Sequence, residues 1–343
     1  MQRRTTSHDV ARVAGVSQST VSLVLNGRAN TRISESTRQR VLEAARALNY
    51  TRNTAAHALV TGRTHRFGIV PIHPRAFMDH NAYYGTLTTS FIDGAFRHGY
   101  NLLLHSVAYA HWEELYRDIC SGSTDGVILI GRTSNDPLTH ALLEADFPTV
   151  CVSYQPRAPI FYSVDCDNMM GGYLAVQHLL SLGHRRIGYF RPSQGFSWEM
   201  QRYEGAKRAI AEADLPADSL YFLGDGNSAP TAENVIDLLC DLPDTRRPTA
   251  LICQDDQQGE HLIRSLPHRG LRVPHDIALI SFNSTEICGR SNPRQTSVWQ
   301  PLAQIGGAAV DMLVDIFEGK AITSSTLRFP MCLNIRESCG GNL

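Results

Sequence analysis

The chain has 343 residues, of which 43% are hydrophobic and 19% charged, so it is long enough for two or three ordinary globular domains. No apolar run approaches the roughly 20 residues that a membrane helix needs, and the opening MQRRTTSHDV lacks the apolar segment of a secretory signal. The eight cysteines are scattered without a C-x-x-C pair, which argues against a zinc site or a disulfide framework and favours a cytoplasmic protein with reduced thiols.

Charge is distributed unevenly along the chain. Residues 1–66 contain eleven Arg, no Lys and three acidic residues, a formal charge of +8, whereas the remainder carries −9. A basic head on an acidic body indicates that the head meets a polyanion such as nucleic acid. A merely solvated basic face is the alternative that charge alone leaves open.

The first predicted helix follows Ser7, which is a suitable N-cap, and ends in a tight turn at Gly15. Val10, Val13 and Ala14 are spaced at three and four residues or next to one another, so we expect them to share its buried face. A helix this short buries little by itself and needs neighbouring helices.

A second helix is predicted over Gln18–Leu25, with Ser17 as its N-cap and Asn26 followed by a glycine as its stop. A third helix is predicted to begin after Ser34. Two short helices joined by a tight glycine turn, with a third packed on them, are typical of a helix-turn-helix unit. The outward side chains of the second helix are short and polar, which suits insertion into the major groove. A small three-helix cap without a ligand is the alternative.

The stretch DVARVAGVSQSTVSLVLNG, from Asp9 to Gly27, is very close to the N-terminal signature of the lactose-repressor (LacI/GalR) family of bacterial transcription regulators. The similarity continues through ISESTRQRVLEAARALNY and GRTHRFGIV. Leu23 is a departure, because the family often has Arg there, and Leu offers only an apolar contact, for example to a thymine methyl group. The resemblance implies DNA contacts at Ser17, Gln18, Ser19, Ser22, Leu23 and Asn26.

The segment NTAAHAL resembles the hinge helix of that family, and the resemblance implies DNA contacts at Asn53, Ala56, His57 and Leu59. Leu59 stands at the position of the leucine that wedges open a base step in the minor groove. A helix of about seven residues is not stable alone in water, so we expect it to fold only against its twin and DNA. Arg52 replaces a frequent Pro, and His57 replaces a frequent Arg. An ordinary flexible linker is the alternative.

Beyond the hinge, short apolar runs alternate with helical stretches, which predicts parallel sheets with right-handed crossovers in two α/β subdomains. We expect a helix-turn-helix domain over 1–52, a hinge helix and linker over 53–65, and an effector-binding and dimerisation domain over 66–343, with the chain crossing between subdomains near 164 and 298. The predicted strands are Phe67–Val70, Leu102–Leu104, Gly126–Ile130, Val150–Val152, Ile187–Phe190, Leu251–Cys253 and Ile277–Ser281, and the predicted helices include Leu87–Arg97, Gly172–Leu182, Arg202–Glu212 and Asn234–Leu239.

Family motifs continue through this large domain, in SVDCDNMMGGYLAVQHLLSLGHRRIGYF, QRYEG, PTALICQDDQQG and VPHDIALISFNSTEI. The resemblance spans roughly residues 6–338. It implies a periplasmic-binding-protein type I (Rossmann-like) fold, in which two α/β lobes enclose a ligand cleft, behind an all-α helix-turn-helix head.

The resemblance also implies five effector-binding positions. Arg202 falls at the ligand-binding Arg of the family, and guanidinium forks suit sugar hydroxyls or carboxylates. Asp255 falls where a ligand-contacting Asn is common, and Asn283 falls where an Asp that grips sugar hydroxyls is common. Tyr83 and Tyr84 follow the first strand, near an aromatic cleft position. Each is alternatively a packing residue at the cleft rim.

Two further aromatic residues, Phe196 and Trp198, are weaker candidates for walls of the same cleft. The exchange of charge between Asp255 and Asn283 argues against a plain hexose as the effector while leaving a pocket in place.

No nucleophile elbow, phosphate-binding loop, zinc-protease or dinucleotide-binding motif is present, so we predict neither an enzyme nor a bound cofactor or metal. Asp255 and Asp256 are adjacent acids that need not converge, and His184 is interpreted as a structural hydrogen-bonding residue.

The sequence therefore predicts a cytoplasmic homodimeric repressor that binds double-stranded operator DNA of two-fold pseudo-symmetry and has no membrane partner. A small metabolite, a sugar or sugar derivative, is expected in the cleft. After Ser338 the chain reads CGGNL without a leucine heptad, so a tail-mediated tetramer is not expected. The alternatives are a ligand-activated or co-repressor-dependent regulator and, in a different class, an α/β enzyme with a DNA-binding head.

Overall fold

The computed structural model describes residues 5–25, 33–51, 58, 61–72, 82–133, 135–154, 162–190, 196–223 and 231–341. The chain divides into two compact units, Met1–Thr64 and His65–Leu343. None of the helices within the described ranges is long and apolar enough to cross a membrane.

Three helices are described in full in the first unit, α1 (Ser7–Ala14), α2 (Gln18–Leu25) and α3 (Glu35–Ala47). The N-cap of α1 is Thr6 and not Ser7, so that prediction was wrong. Thr6 Oγ1 accepts a hydrogen bond from the Asp9 amide at 3.3 Å, and the Asp9 carboxylate accepts one from the Thr6 amide at 3.0 Å. This reciprocal capping box satisfies two amides that the helix itself leaves unpaired.

The end of α1 agrees with the prediction from the sequence, whereas one residue of its predicted buried face does not. Gly15 ends α1 with φ of +65°, a left-handed conformation that glycine adopts without strain. The prediction for Val13 was wrong, because Val13 is 55% exposed and Ala11 occupies the buried face instead. The head core consists of Val10, Ala11, Ala14, Val21, Val24, Val41, Ala44 and Ala45.

The second unit contains two six-stranded sheets, each in its own lobe. The sheet of lobe 1 has the strand order β11-β5-β4-β3-β1-β2, and all its pairs are parallel. Its strands are β1 (Arg66–Val70), β2 (Asn101–Leu104), β3 (Gly126–Ile130), β4 (Thr149–Val152), β5 (Tyr162–Cys166) and β11 (Thr326–Phe329).

The sheet of lobe 2 has the order β12-β10-β9-β8-β6-β7, and only β12 runs antiparallel to its neighbour. Its strands are β6 (Ile187–Phe190), β7 (Leu220–Leu223), β8 (Ala250–Ile252), β9 (Ala278–Asn283), β10 (Thr296–Trp299) and β12 (Cys332–Asn334). These two mainly parallel sheets confirm the α/β fold that the alternation of apolar runs and helices predicts.

Helices cover the faces of both sheets, as parallel strands require. Those of lobe 1 are α4 (Ala82–His98), α5 (Trp112–Ile119), α6 (Pro137–Glu144) and α12 (Leu302–Phe317). Those of lobe 2 are α7 (Asn168–Ser181), α8 (Ser197–Glu212), α9 (Ala232–Asp241), α10 (Asp256–Ser265) and α11 (Glu286–Arg290).

The chain passes from one lobe to the other at 166–168, at 299–302 and at 329–332. The sequence analysis included two crossings, near 164 and 298, and omitted the one between β11 and β12. These last two strands are short and lie at sheet edges, so no apolar run marks them. Every crossing follows the end of a strand, and the first two carry the polar residues Asp167 and Gln300.

Candidate functional site

The outer face of α2 carries an uninterrupted polar surface. Val21 and Val24 point into the head core, whereas Ser17, Gln18, Ser19 and Ser22 are exposed and Leu23 is half-buried. Ser17 caps the helix through its hydroxyl, which accepts from the Thr20 amide at 3.2 Å. Short exposed polar side chains on a helix of a head with a charge of +8 suit contact with base edges and phosphates.

Gln18 is the longest of these polar side chains. Its carboxamide Nε2 donates a hydrogen bond to Ser7 Oγ at 2.9 Å, which links the beginnings of α1 and α2. A glutamine can pair with the N6 and N7 edge of adenine. The contact with Ser7 therefore fixes the position of the Gln18 carboxamide before DNA binds.

A second site is a cavity of about 160 Å³ between the two lobes. The five predicted effector residues all line it, together with the two weaker aromatic candidates. The structure therefore brings together Tyr83, Tyr84, Phe196, Trp198, Arg202, Asp255 and Asn283, which are spread over 200 positions of the sequence. The sequence analysis did not single out the other lining residues, Ile72, Ile130, Gly131, Ser153, Asp165, Asn168, Gln254 and Gln300.

Arg202 lies at the centre of the lobe 2 wall and is only 5% exposed. Its Nε donates to Asn168 Oδ1 at 3.0 Å, and its Nη1 donates to the Gln254 carbonyl at 3.2 Å. The guanidinium carbon lies 4.7 Å from the centre of the Trp198 ring and 4.1 Å from that of Phe282. Rings on the guanidinium and two fixed acceptors hold the charged group in one orientation.

The adjacent acids Asp255 and Asp256 face different surroundings. Asp255 caps α10 by accepting the Gln258 amide at 2.8 Å, and burial raises the pKa of its carboxyl group. Asp256 accepts hydroxyl hydrogen bonds from Ser281 and Ser297, each at 2.8 Å. Asp255 thus lines the cavity, while Asp256 ties α10 to the sheet of lobe 2.

Asn283 ends β9 with φ of +94°, a conformation that is uncommon outside glycine and is found at ligand sites. Its Oδ1 accepts from Gln300 Nε2 at 2.5 Å. Because Gln300 belongs to the second crossing, a cavity residue is bonded to a segment that joins the lobes.

Tyr83 and Tyr84 form the lobe 1 wall, with their ring centres 5.2 Å apart in a T-shaped arrangement. The Tyr83 hydroxyl lies 2.5 Å from Ser153 Oγ. Burial raises the pKa of both phenols, that of Tyr84 to about 12, so both are neutral hydrogen-bonding groups at pH 7.

Comparison with known proteins identifies this pairing of head and two-lobed body. Residues 6–53 match the model of bacterial regulatory proteins of the lacI family, and residues 176–339 match the periplasmic binding protein-like domain. The HTH-type transcriptional regulator CelR of Thermobifida fusca is 30% identical over 342 residues, which cover 98% of this chain and 99% of CelR. The chain belongs to the lacI family.

Two solved structures of lacI-family regulators resemble the whole chain. A complex of the transcriptional regulator CelR with cellobiose is 27% identical with a TM-score of 0.70, over 98% of this chain and all of that one. A Lac repressor dimer bound to operator is 23% identical with a TM-score of 0.82, over 98% of this chain and 99% of that one, and shows the same fold. The protein is therefore a DNA-binding transcriptional regulator and not an enzyme.

Several DNA contacts expected from the lacI family lie outside the described residues. They are Asn26, which follows the last described residue of α2, and the predicted hinge residues Asn53, Ala56, His57 and Leu59. Their roles stay predictions.

Asp165 is the main cavity residue that the sequence analysis missed. It is a buried carboxyl group in β5 that accepts from the Cys166 amide at 2.8 Å and from Asn168 Nδ2 at 3.2 Å. Burial raises its pKa to about 6. The available signal was an acidic residue in the apolar setting of SVDC, at the beginning of a family motif.

His184 lies away from the cavity, in the loop before β6. Its Nδ1 lies 2.9 Å from Thr249 Oγ1, which agrees with a structural role. Within the described ranges, no cluster of three or more His, Cys, Asp or Glu side chains is arranged to hold a metal ion.

Proposed function

We propose that this protein is a homodimeric transcriptional repressor of the cytoplasm, which binds a pseudo-palindromic operator under the control of a small carbohydrate in the inter-lobe cavity. The observation that carries the proposal is the composition of the cavity walls. Tyr83 and Tyr84 come from lobe 1 and Arg202, Asp255 and Asn283 from lobe 2. A ligand that contacts both walls favours one relative orientation of the lobes.

The chemistry of the walls supports a carbohydrate. Aromatic rings offer flat apolar faces, and Arg202, Asp255 and Asn283 offer a few fixed polar groups, the combination typical of small-molecule sites. A cavity of about 160 Å³ is small beside the roughly 300–1,000 Å³ of sites for larger ligands, which favours a compact metabolite. Cellobiose in the CelR complex is consistent with this class of effector.

A route from the cavity to the interlobe connections supports control by such a ligand. Gln300 lies in the second crossing and donates to Asn283, while Cys166 Sγ in the first crossing donates to Gln300 Oε1 at 3.3 Å. A ligand that competes for Asn283 changes the bonds of both crossings. We expect the coupling between effector and DNA to be about 1–3 kcal/mol.

An exposed apolar face on lobe 1 supports the homodimer. Ile92 and Phe96 are 53% and 84% exposed, and they lie four residues apart on α4 and so share one helix face. Leu104 on the edge strand β2 and Val107 just beyond it are exposed as well. We assign this face to a second copy, in keeping with the dimeric Lac repressor. Phe96→Asp should shift the protein from dimer to monomer in analytical ultracentrifugation, and an unchanged dimer contradicts the assignment.

Two heads of one dimer would read a two-fold site, with α2 of each in the major groove. Contacts from the arginines of the head to phosphates should dominate non-specific binding, which should weaken as salt rises.

The experiment that tests the proposal has two stages. Genomic DNA fragments that the full-length protein retains are sequenced, and the enriched motif should be pseudo-palindromic. Release of that motif by a panel of neutral, amino and acidic sugars is then measured by fluorescence anisotropy.

Arg202→Ala should bind the motif normally and lose its response to the releasing sugar. Arg208→Ala, an exposed position on the same helix, is the matched control and should respond as the parent does. If no sugar alters DNA binding, or if Arg202→Ala responds normally, the proposed effector site is wrong. Increased occupancy on adding the sugar, with reduced reporter transcription, identifies a co-repressor, and increased transcription identifies an activator.

A further inference from the structure

We infer that the effector is a polyhydroxylated ring that carries a protonated amine, a hexosamine or a close relative. This inference rests on the proposed function, because it concerns the same cavity and specifies the class of ligand. It depends on the balance of charge in the walls and on the bonds that each charged group already makes.

Apart from the tyrosines, three ionisable groups line the described part of the cavity. Asp165 and Asp255 are carboxyl groups, and Arg202 is the one cation among those described lining residues. The described walls therefore hold two acids and one base, and Arg202 and Asp165 are each only 5% exposed. A buried charge without a counter-charge is costly, so the site favours a ligand that brings a cation.

Arg202 is largely committed to its own lobe. Two of its donors bind Asn168 Oδ1 and the Gln254 carbonyl, and its flat faces lie against Trp198 and Phe282. The guanidinium therefore offsets the charge of the two acids only in part, since its described hydrogen bonds go to neutral acceptors.

The two carboxyl groups, by contrast, are held by neutral donors in the described structure. Asp165 accepts from the Cys166 amide and from the Asn168 side chain. Asp255 accepts from the Gln258 amide through Oδ1. Burial raises the pKa of both carboxyl groups, as expected where hydrogen bonds do not fully replace the lost water. An ammonium group of the ligand would supply the missing charge.

The aromatic walls accommodate the rest of such a ligand. Trp198 and Phe196 lie with ring centres 6.1 Å apart in lobe 2, and Tyr83 and Tyr84 face the cavity from lobe 1. Ring faces pack against the apolar side of a pyranose and attract a nearby cation. An anionic sugar, such as a uronate, would meet both carboxylates and is disfavoured.

The test compares matched ligands by isothermal titration calorimetry on the full-length protein at pH 7.0. Glucosamine, galactosamine and mannosamine are each titrated beside the parent hexose and the N-acetyl derivative. We expect at least one hexosamine to bind on the order of tenfold more tightly than its parent hexose. N-acetylation removes the positive charge and should abolish that preference.

Variants assign the preference to the acids. Asp255→Asn keeps a good helix N-cap and removes one acidic group. It should therefore bind the hexosamine and the parent hexose with roughly equal affinity. Asp165→Asn should act in the same direction, and Asp255→Asn carries the test alone if Asp165→Asn does not fold. Glu144→Gln removes an exposed acid away from the cavity and should leave the preference unchanged.

The inference is overturned if no hexosamine binds, if a parent hexose binds as tightly as its hexosamine, or if Asp255→Asn keeps the full preference. In each of these cases, a neutral or acidic sugar that releases the operator through Arg202 leaves the proposed function intact. A protein whose DNA binding responds to no sugar fails the proposed function itself, which the anisotropy experiment shows separately.

Discussion

The polar surface of α2 and the inter-lobe cavity present their functional groups in opposite ways. On α2, Ser19 and Ser22 are exposed side chains on a helix whose stability comes from its other face. In the cavity, Arg202 and Asp165 are each at most 5% exposed and make several fixed hydrogen bonds.

This difference bears on how each region can change. An exposed residue of α2 can be replaced at a cost to stability within about 0.5 kcal/mol, so DNA preference can vary while the head stays folded. A buried charged residue of the cavity is part of the packing as well as of the site, so its replacement alters both ligand preference and stability. Substitutions in the two regions should therefore differ in their effects on stability and on binding.

Close packing behind the cavity gives the strongest test. Helices α7 and α8 pack so closely that a Cβ added to Gly172 would lie 1.8 Å from the Arg202 carbonyl oxygen. Neither backbone can move aside without displacing Arg202. We therefore expect Gly172→Ala to lower the free energy of unfolding by about 3 kcal/mol or more, measured by urea denaturation.

Gly85→Ala is the matched control, since Gly85 is also helical and a Cβ there meets nothing within 4 Å. This variant should be neutral or more stable by up to about 1 kcal/mol, because alanine favours helix over glycine. Equal stability for Gly172→Ala and Gly85→Ala would show that the two helices are not in rigid contact.

The buried charge of Asp165 should appear in the dependence of stability on pH. Its folded pKa, about 6, lies above the unfolded value of about 3.9, so between these values the folded protein holds a proton that the unfolded chain has lost. Its contribution to stability therefore falls as pH rises through that window. Asn does not titrate, so Asp165→Asn should gain about 2–3 kcal/mol relative to the parent between pH 4 and pH 7.

The measurement is urea denaturation of both proteins at pH 4, 5, 6 and 7. Glu144→Gln, which removes an exposed acid, should follow the parent at every pH. A constant difference between Asp165→Asn and the parent would mean that Asp165 titrates normally in the folded state.

The same contrast explains how much could be read from the sequence. Apolar patterning predicts α2 and the strands β3 and β6 with their observed bounds, because buried aliphatic and aromatic residues make up most of both strands. It misses β5 and β10, whose fully buried positions include Ser163, Thr296 and Ser297. The edge strands β11 and β12 were missed because they carry few apolar residues, whereas the edge strand β7 was missed although its residues, LYFL, are all apolar or aromatic.

Site residues follow a similar rule. Arg202, Asp255 and Asn283 could be located because they fall within family motifs, and the structure lines one cavity with all three. Asp165 and Asn168 also lie in a family motif, but the motif alone does not show that the first crossing brings them to the cavity, and Gln300 reaches it from the second crossing. Only the three-dimensional path of the chain brings those crossings to the cavity.

A smaller effect is expected at Leu59, in the predicted hinge. If Leu59 wedges into the central base step of the operator, Leu59→Ala should weaken operator binding by about 2 kcal/mol, roughly thirtyfold, while non-specific binding changes little. Fluorescence anisotropy with operator and with a scrambled duplex at the same salt concentration separates the two. Gln39→Ala, at an exposed position of α3 where no DNA contact is predicted, is the control and should bind both duplexes as the parent does. Equal losses on both duplexes for Leu59→Ala would contradict the wedge.

The smallest effect is expected on the exposed surface of α2, where specificity and stability are most clearly separate. Gln18→Ala should cost about 1–2 kcal/mol on the preferred operator, because one base edge loses its partner, and should relax the preference at that base pair. Its bond to Ser7 Oγ is exposed, so the free energy of unfolding should change by less than about 0.5 kcal/mol.

Gln39→Ala, at an exposed carboxamide on α3, is the matched control and should leave the selected sequence unchanged. Sequencing of DNA selected by the parent and both variants decides the point. A motif that Gln18→Ala leaves intact, or a large loss of stability, would mean that Gln18 holds α1 and α2 together and does not read DNA.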